Sequence, residues 1–292
     1  MEGSFASRSG SNALGRPRAE GIGVRWLWRL TTADLRALPS FLVIGAQRGG
    51  TSSLYYNLIT HPSVVRAYRK EIHFFDRKFF QGIRWYRAHF PTTPVLWSIR
   101  QRTGAAVTGE ASPYYLFHPA VPARVAELIP MARLVVLLRN PVDRAYSHYQ
   151  LKRAKGHESV EFADAIEQEV SRLQNVVAAT SPETAYLHPV FRYNSYLSRG
   201  RYAEQLQRWF THFSRDRFLI LKSEDFFNDP YGAFGSVLQF LGLSEWKPRT
   251  FRHANARRYP PLDPELRTRL TEYFRPHNQA LAALLGEDFQ WT

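Results

Sequence analysis

Residues 41–55 read Phe41-Leu-Val-Ile-Gly-Ala-Gln-Arg-Gly-Gly-Thr-Ser-Ser-Leu-Tyr55: an apolar run that predicts a buried strand, a glycine turn bearing one cation, and hydroxyl residues opening a helix. That order describes a phosphate cradle. Gly49 and Gly50 lack Cβ atoms, so the backbone can fold closely around an anion, while Thr51, Ser52 and the first helical amides point donors at it. The spacing departs from the Walker A pattern G-x-x-x-x-G-K-[ST]. Gly45 and Gly50 stand at the right separation, but Thr51 occupies the lysine position, and the cation, Arg48, precedes the glycines. The plain alternative is a glycine turn that only joins a strand to a helix.

A second segment repeats the arrangement. Leu134-Val-Val-Leu-Leu-Arg-Asn-Pro-Val-Asp-Arg-Ala-Tyr-Ser-His-Tyr149 runs from an apolar strand into a charged turn and a helix start, so Arg139 and Ser147 can grip a phosphate. Strands ending this way place polar groups at the carboxyl edge of a parallel sheet, where doubly wound folds bind ligands. Two phosphate sites suggest a doubly phosphorylated nucleotide. The alternative is that Arg139 and Asp143 only cap the helix or form a surface ion pair.

With a third segment, Lys70-Glu-Ile-His-Phe-Phe-Asp76, these residues resemble the sulfotransferases that use 3′-phosphoadenosine 5′-phosphosulfate (PAPS), in particular the heparan sulfate type. The resemblance runs from about Pro39 to the C-terminus, where Tyr273-Phe-Arg-Pro-His-Asn278 through Phe289-Gln-Trp291 look like the family's closing segments. It implies that Arg48, Gly49, Gly50, Thr51 and Ser52 bind the 5′-phosphosulfate, that Arg139 and Ser147 bind the 3′-phosphate, and that Glu71 is the catalytic base. The family's later Lys-Gly-Arg loop reads Asn255-Ala-Arg257 here, so only Arg257 carries over to the nucleotide.

Three further departures are visible. Arg48 stands where the animal enzymes carry lysine, keeping the charge but replacing a compact ammonium with a guanidinium fork. In Glu110-Ala-Ser-Pro-Tyr-Tyr115, Ala111 replaces a lysine that assists catalysis in the 3-O-sulfotransferases. The chain has no cysteine, so the disulfide of the animal enzymes is absent.

The reaction expected from this resemblance needs a base to deprotonate a hydroxyl as it attacks sulfur in line, and positive charge on the departing phosphate. Glu71 would accept the proton, Arg48 would stabilise the leaving group, and His73 would orient Glu71 or the acceptor. No metal is required by this scheme. The competing reading of Glu71 is a salt bridge with Lys70, Arg69 or Arg77, and that of His73 is a satisfied half-buried histidine. Phe74 and Phe75 read as core, whereas Tyr114 and Tyr115 read as acceptor contacts.

Composition agrees with an α/β enzyme. At 44% hydrophobic and 14% aromatic content, 292 residues can bury one large core. Strand runs at 41–45, 64–65, 107–112, 134–138 and 218–222 alternate with helical stretches, which predicts three layers, a mainly parallel central sheet and a P-loop-like loop. The expected division is an N-terminal extension over residues 1–38, partly disordered, and a sulfotransferase domain over 39–292. Residues 146–177 read as largely helical, and 262–285 as two helices meeting near Pro276.

The balance of 39 Lys+Arg against 25 Asp+Glu gives a net charge of +14 and favours anionic partners. The basic residues are spread through the folded region and match no nucleic-acid-binding signature, so a nonenzymatic nucleic-acid module ranks third, behind a phosphotransferase with a degenerate P-loop. The expected acceptor bears a hydroxyl, with an amine as the weaker variant, on a carbohydrate or another small molecule, with an anionic acceptor among the candidates. Val24-Arg-Trp-Leu-Trp-Arg-Leu30 is too short and charged for a secretory or membrane-spanning segment, which by default implies cytoplasmic residence with at most peripheral membrane contact.

Overall fold

The computed structural model describes residues 23–254 and 259–291. Five strands, β1 (Phe41–Gly45), β2 (Val64–Arg66), β3 (Val107–Ala111), β4 (Arg133–Leu138) and β5 (Phe218–Lys222), form one sheet in the order β2-β3-β1-β4-β5. Every pairing within it is parallel. The chain lays β2 and β3 on one side of β1, then crosses over to place β4 and β5 on the other. Order therefore reverses at β1, and the crevice at such a reversal is where open parallel sheets bind ligands.

Strand periodicity of two divides the apolar residues between the two faces of the sheet. Leu42, Ile44, Leu134, Val136 and Leu138 pack on one face with Leu206 and Trp209 of the Tyr202–Phe210 helix and Val125 of the Val121–Leu128 helix. Phe41, Val43, Val135 and Leu137 pack on the other with Leu54 and Leu58 of the Thr51–Leu58 helix and Val237 and Leu238 of the Pro230–Leu241 helix. These two cores make the expected three layers. Burial on both faces explains why β1 and β4 read as continuous apolar runs without alternation.

One helical expectation is corrected, and the other, of a largely helical stretch over 146–177, holds with a break. The segment after Leu262 is one helix, Pro264–Leu285, with Pro276 inside it. Proline removes one helical N–H, but Leu270, Phe274 and Leu281 are buried on either side of it, and this packing keeps the helix continuous. The stretch 146–177 is interrupted: the Pro141–Arg153 helix ends, the chain turns through Gly156 at φ 69°, and shorter helices follow at Phe162–Glu167 and Glu169–Ala179.

Residues 1–22, the first part of the extension expected to be partly disordered, lie outside the described residues. From Val24 the chain is helical, and the ring of Trp26 packs 4.7 Å from His89 and 6.1 Å from Trp85. Trp28 is 55% exposed, with the Arg36 guanidinium 4.7 Å over its ring. Among the described residues, no helix is long and apolar enough to cross a membrane.

Candidate active site

The turns after β1 and β4 meet at the carboxyl edge of the sheet. Gly49 runs so close to β4 that a Cβ there would lie 2.5 Å from the Leu137 carbonyl oxygen, and Gly50 takes φ +94° as it caps the Thr51–Leu58 helix. Only glycine meets both demands without strain. Ser223 Oγ donates to the Gly49 carbonyl at 2.8 Å, and the Ala46 amide donates to Leu137 O at 2.7 Å, so the turn is tied to its neighbours.

Arg48 stands in this turn at φ 76°, a sparsely populated conformation for a residue with a side chain. Its Nε donates to Ser147 Oγ at 2.9 Å, while Arg139 Nη1 donates to the Arg48 carbonyl oxygen at 3.4 Å. The residues expected to read two separate phosphates thus form one connected group. Asn140 starts the helix that carries Ser147, its side chain accepting from the Val142 amide at 3.0 Å. Asp143 takes the plainer role, pairing with Arg267 at 2.5 Å.

A cavity of about 940 Å³ opens over this group and reaches Thr51, Ser52, Glu71 and His73. Glu71 and His73 both lie at positive φ, 55° and 56°, in the loop after β2. That loop is pinned from below. The Ile72 amide donates to Glu110 Oε2 at 3.3 Å, the His73 amide to Ser112 Oγ at 3.3 Å, and the Phe74 amide to the Tyr115 hydroxyl at 2.9 Å. Glu110 is fully buried at the end of β3 and also accepts from the hydroxyls of Ser112, Tyr86 and Tyr115 at 2.7, 2.9 and 2.9 Å. Burial raises its pKa, against the lowering effect of those hydroxyls.

Tyr115 is therefore a buried strut, not the acceptor contact expected of it. Its hydroxyl is consumed by Glu110 and the loop amides, and its ring packs against Phe75. Tyr114 does line the cavity. Phe74 and Phe75 are buried, as read from the sequence.

Glu71 accepts from Lys70 Nζ at 2.7 Å and lies 3.6 Å from His73 Nε2, with 45% of its side chain exposed. Burial would raise its pKa, but the neighbouring His73 imidazole and the hydrogen-bonded Lys70 ammonium prevail and hold it at about 2. His73 Nδ1 meets Asp76 Oδ2 at 2.8 Å. Desolvation lowers the histidine's pKa, yet its hydrogen bond to Asp76 and the nearby Glu71 carboxylate outweigh that and raise it. The ion pair expected with Lys70 is present, and Glu71 also lines the cavity.

Several lining residues escaped the sequence reading. Lys152, 6% exposed, has its pKa lowered to about 7 by burial and by the nearby charges of Arg199, Lys155 and Arg192. Arg199 is buried, holds Gln47 in the turn after β1 and donates to Ser195 Oγ at 2.8 Å. Among the described lining residues Glu71 is the one carboxylate, and Lys70, Arg77, Lys152, Arg192, Arg48 and Arg139 line the same cavity. Arg257 lies outside the described residues. Groups of three or more His, Cys, Asp or Glu side chains able to hold a metal do not occur among the described residues.

The chain matches the family described as "Sulfotransferase domain" over residues 38–257. It belongs to the sulfotransferase family. Human bifunctional heparan sulfate N-deacetylase/N-sulfotransferase 2 is 31% identical over 278 residues, 85% of this chain but 30% of that relative's length. Human heparan sulfate glucosamine 3-O-sulfotransferase 6 is 29% identical over 308 residues, 96% of this chain and 80% of its own. A sulfotransferase crystal structure from Alicyclobacillus acidocaldarius superposes with a TM-score of 0.66 at 28% identity, covering 87% of this chain and 98% of that one. This sulfotransferase is an enzyme whose family membership implies PAPS as donor, which sets aside the phosphotransferase alternative.

Proposed function

We propose that this sulfotransferase sulfates a hydroxyl of an anionic carbohydrate, releasing adenosine 3′,5′-bisphosphate, with Glu71 as general base. The observation that supports this reading is that Glu71 and the Arg48–Ser147 pair line one cavity. The residues fit the donor. A glycine turn, the amides opening the Thr51–Leu58 helix and two guanidinium groups converge on a cavity otherwise rich in positive charge.

Bound PAPS supplies an activated sulfuryl group with a phosphate leaving group. Gly49, Gly50, Thr51 and Ser52 would hold its 5′ end, Arg139 and Ser147 its 3′-phosphate, with Arg257 contributing to the nucleotide. Glu71 takes the acceptor proton as the acceptor oxygen bonds to sulfur and the bridging phosphate–sulfur link breaks. Arg48 neutralises charge on the departing phosphate oxygen. His73, clamped between Asp76 and Glu71, keeps the carboxylate aimed into the cavity. Most of the rate enhancement would come from alignment and charge stabilisation.

The acceptor class rests on two supports. The 3-O-sulfotransferase relative matches nearly the whole chain and names a heparan sulfate glucosamine as its substrate. The wall formed by Lys152, Arg192 and Tyr193 clusters cations, with Lys152 Nζ 4.1 Å from the Tyr193 ring centroid, and suits a carboxylate or sulfate on a sugar. Incubation with PAPS and a panel of polysaccharides, neutral and anionic, followed by mass spectrometry of the product tests this reading. Sulfate on an anionic sugar's hydroxyl supports it. Sulfate on an amine, or on neutral sugars alone, overturns the acceptor assignment.

A further inference from the structure

One ammonium joins the donor and acceptor halves of the site. Lys70 Nζ donates to Ser52 Oγ at 2.8 Å, in the first turn of the helix beyond the phosphate loop, and to Glu71 Oε1 at 2.7 Å. Its side chain is 14% exposed, with Nζ 5.9 Å from the Tyr56 ring centroid. Ser52 belongs to the segment that would take the donor's phosphate, so an anion seated there competes with Glu71 for the same cation. At hydrogen-bond separations in a partly buried site this competition is strong.

We propose that Lys70 is a positioning residue that couples donor binding to release of the base. Without nucleotide the ammonium pins Glu71 Oε1. A phosphate group at the Ser52 end draws the ammonium to itself and frees that carboxylate oxygen for the acceptor hydroxyl. The coupling rests on the reading of Glu71 as base and explains how a carboxylate so well neutralised can serve as one. Held at about 2 chiefly by His73 and Lys70 against the effect of burial, Glu71 is a weak base until one of these partners leaves.

The charged groups that face Glu71 come from three places. Lys70 and His73 lie on its own loop, Arg77 acts from the turn that follows, and Lys152 from the Pro141–Arg153 helix. Of these four, Lys70 alone among the described residues also bonds to Ser52. His73 is committed on its other side to Asp76, so it is not the partner that a phosphate would attract.

The test is a carboxyl NMR titration of ¹³C-glutamate-labelled protein, with Glu71→Gln used to assign the signal. Wild type and Lys70→Met are each measured with and without adenosine 3′,5′-bisphosphate. Wild-type Glu71 is expected to titrate near 2 alone and about one unit or more higher with the bisphosphate. In Lys70→Met the pKa is expected to start higher and to move less. Indifference of wild-type Glu71 to the bisphosphate overturns the proposal whatever the variant does, and so does an equal shift in both proteins. This readout is independent of turnover: loss of the Glu71 base assignment would show in Glu71→Gln kinetics, whereas loss of the coupling would show here.

Discussion

Arg48 Nε and Ser147 Oγ, 99 positions apart in sequence, share a hydrogen bond of 2.9 Å. It joins the turn after β1 to the helix after β4, so the two ends of a doubly phosphorylated ligand would meet one connected set of donors. Arg139, bonded to the Arg48 carbonyl, extends that set. Arg139→Ala is therefore expected to reduce the preference for adenosine 3′,5′-bisphosphate over adenosine 5′-monophosphate by roughly 10- to 100-fold, the worth of one hydrogen bond to a charged group. Calorimetric titration of both ligands checks this, with an unchanged melting temperature showing that the fold is intact.

Gly49 tests the loop in a different way. An added methyl would sit 2.5 Å from a backbone oxygen of β4, which cannot rotate aside as a side chain can. Gly49→Ala should cost about 1–3 kcal/mol of stability and weaken nucleotide binding. Denaturant unfolding with and without adenosine 3′,5′-bisphosphate measures both effects, and an unperturbed variant would mean that the turn is looser than its contacts indicate.

His73 carries a pH signature. Its pKa is raised above the ordinary 6.5 because Asp76 and Glu71 outweigh desolvation. A raised histidine pKa contributes stability that is complete below 6.5 and is lost as pH rises through the folded value. Asp76→Asn should bring the His73 pKa down and flatten that loss. Histidine NMR titration reads the first effect, and melting temperature against pH the second.

Lys152 offers a matching signature for the acceptor. Burial and its cationic neighbours bring its pKa to about 7, so its charge is lost near neutrality. The KM for a sulfated or carboxylated acceptor should rise as pH increases through this region, and in Lys152→Met should be raised at low pH as well. A neutral acceptor should show neither change.

Much of this architecture is legible in the chain because local rules and tertiary packing agree. β1 and β4 are apolar runs closed by turns, and each is buried on both faces. The turn after β1 reads clearly because glycine at 49 and 50 is demanded by close approach and by positive φ. Pro276 misleads because a proline's local cost is outweighed by Phe274 and Leu281 packing, which no local pattern displays. Tyr115 misleads in the same manner: its partner Glu110 is five residues away, but the loop amide it supports is Phe74, reached only through the fold. Lys152, Arg192 and Arg199 come from separate helical segments, and only the folded chain makes them one wall.

The most direct test of the account is sulfuryl transfer by Glu71→Gln, measured with labelled PAPS and an accepted carbohydrate, beside adenosine 3′,5′-bisphosphate binding by the same variant. Glutamine preserves the size of the side chain but cannot take the acceptor's proton, and Glu71 is not one of the groups assigned to hold the nucleotide. The account predicts turnover lower by about 10²–10⁴-fold with binding retained. Near-normal turnover by Glu71→Gln would contradict it.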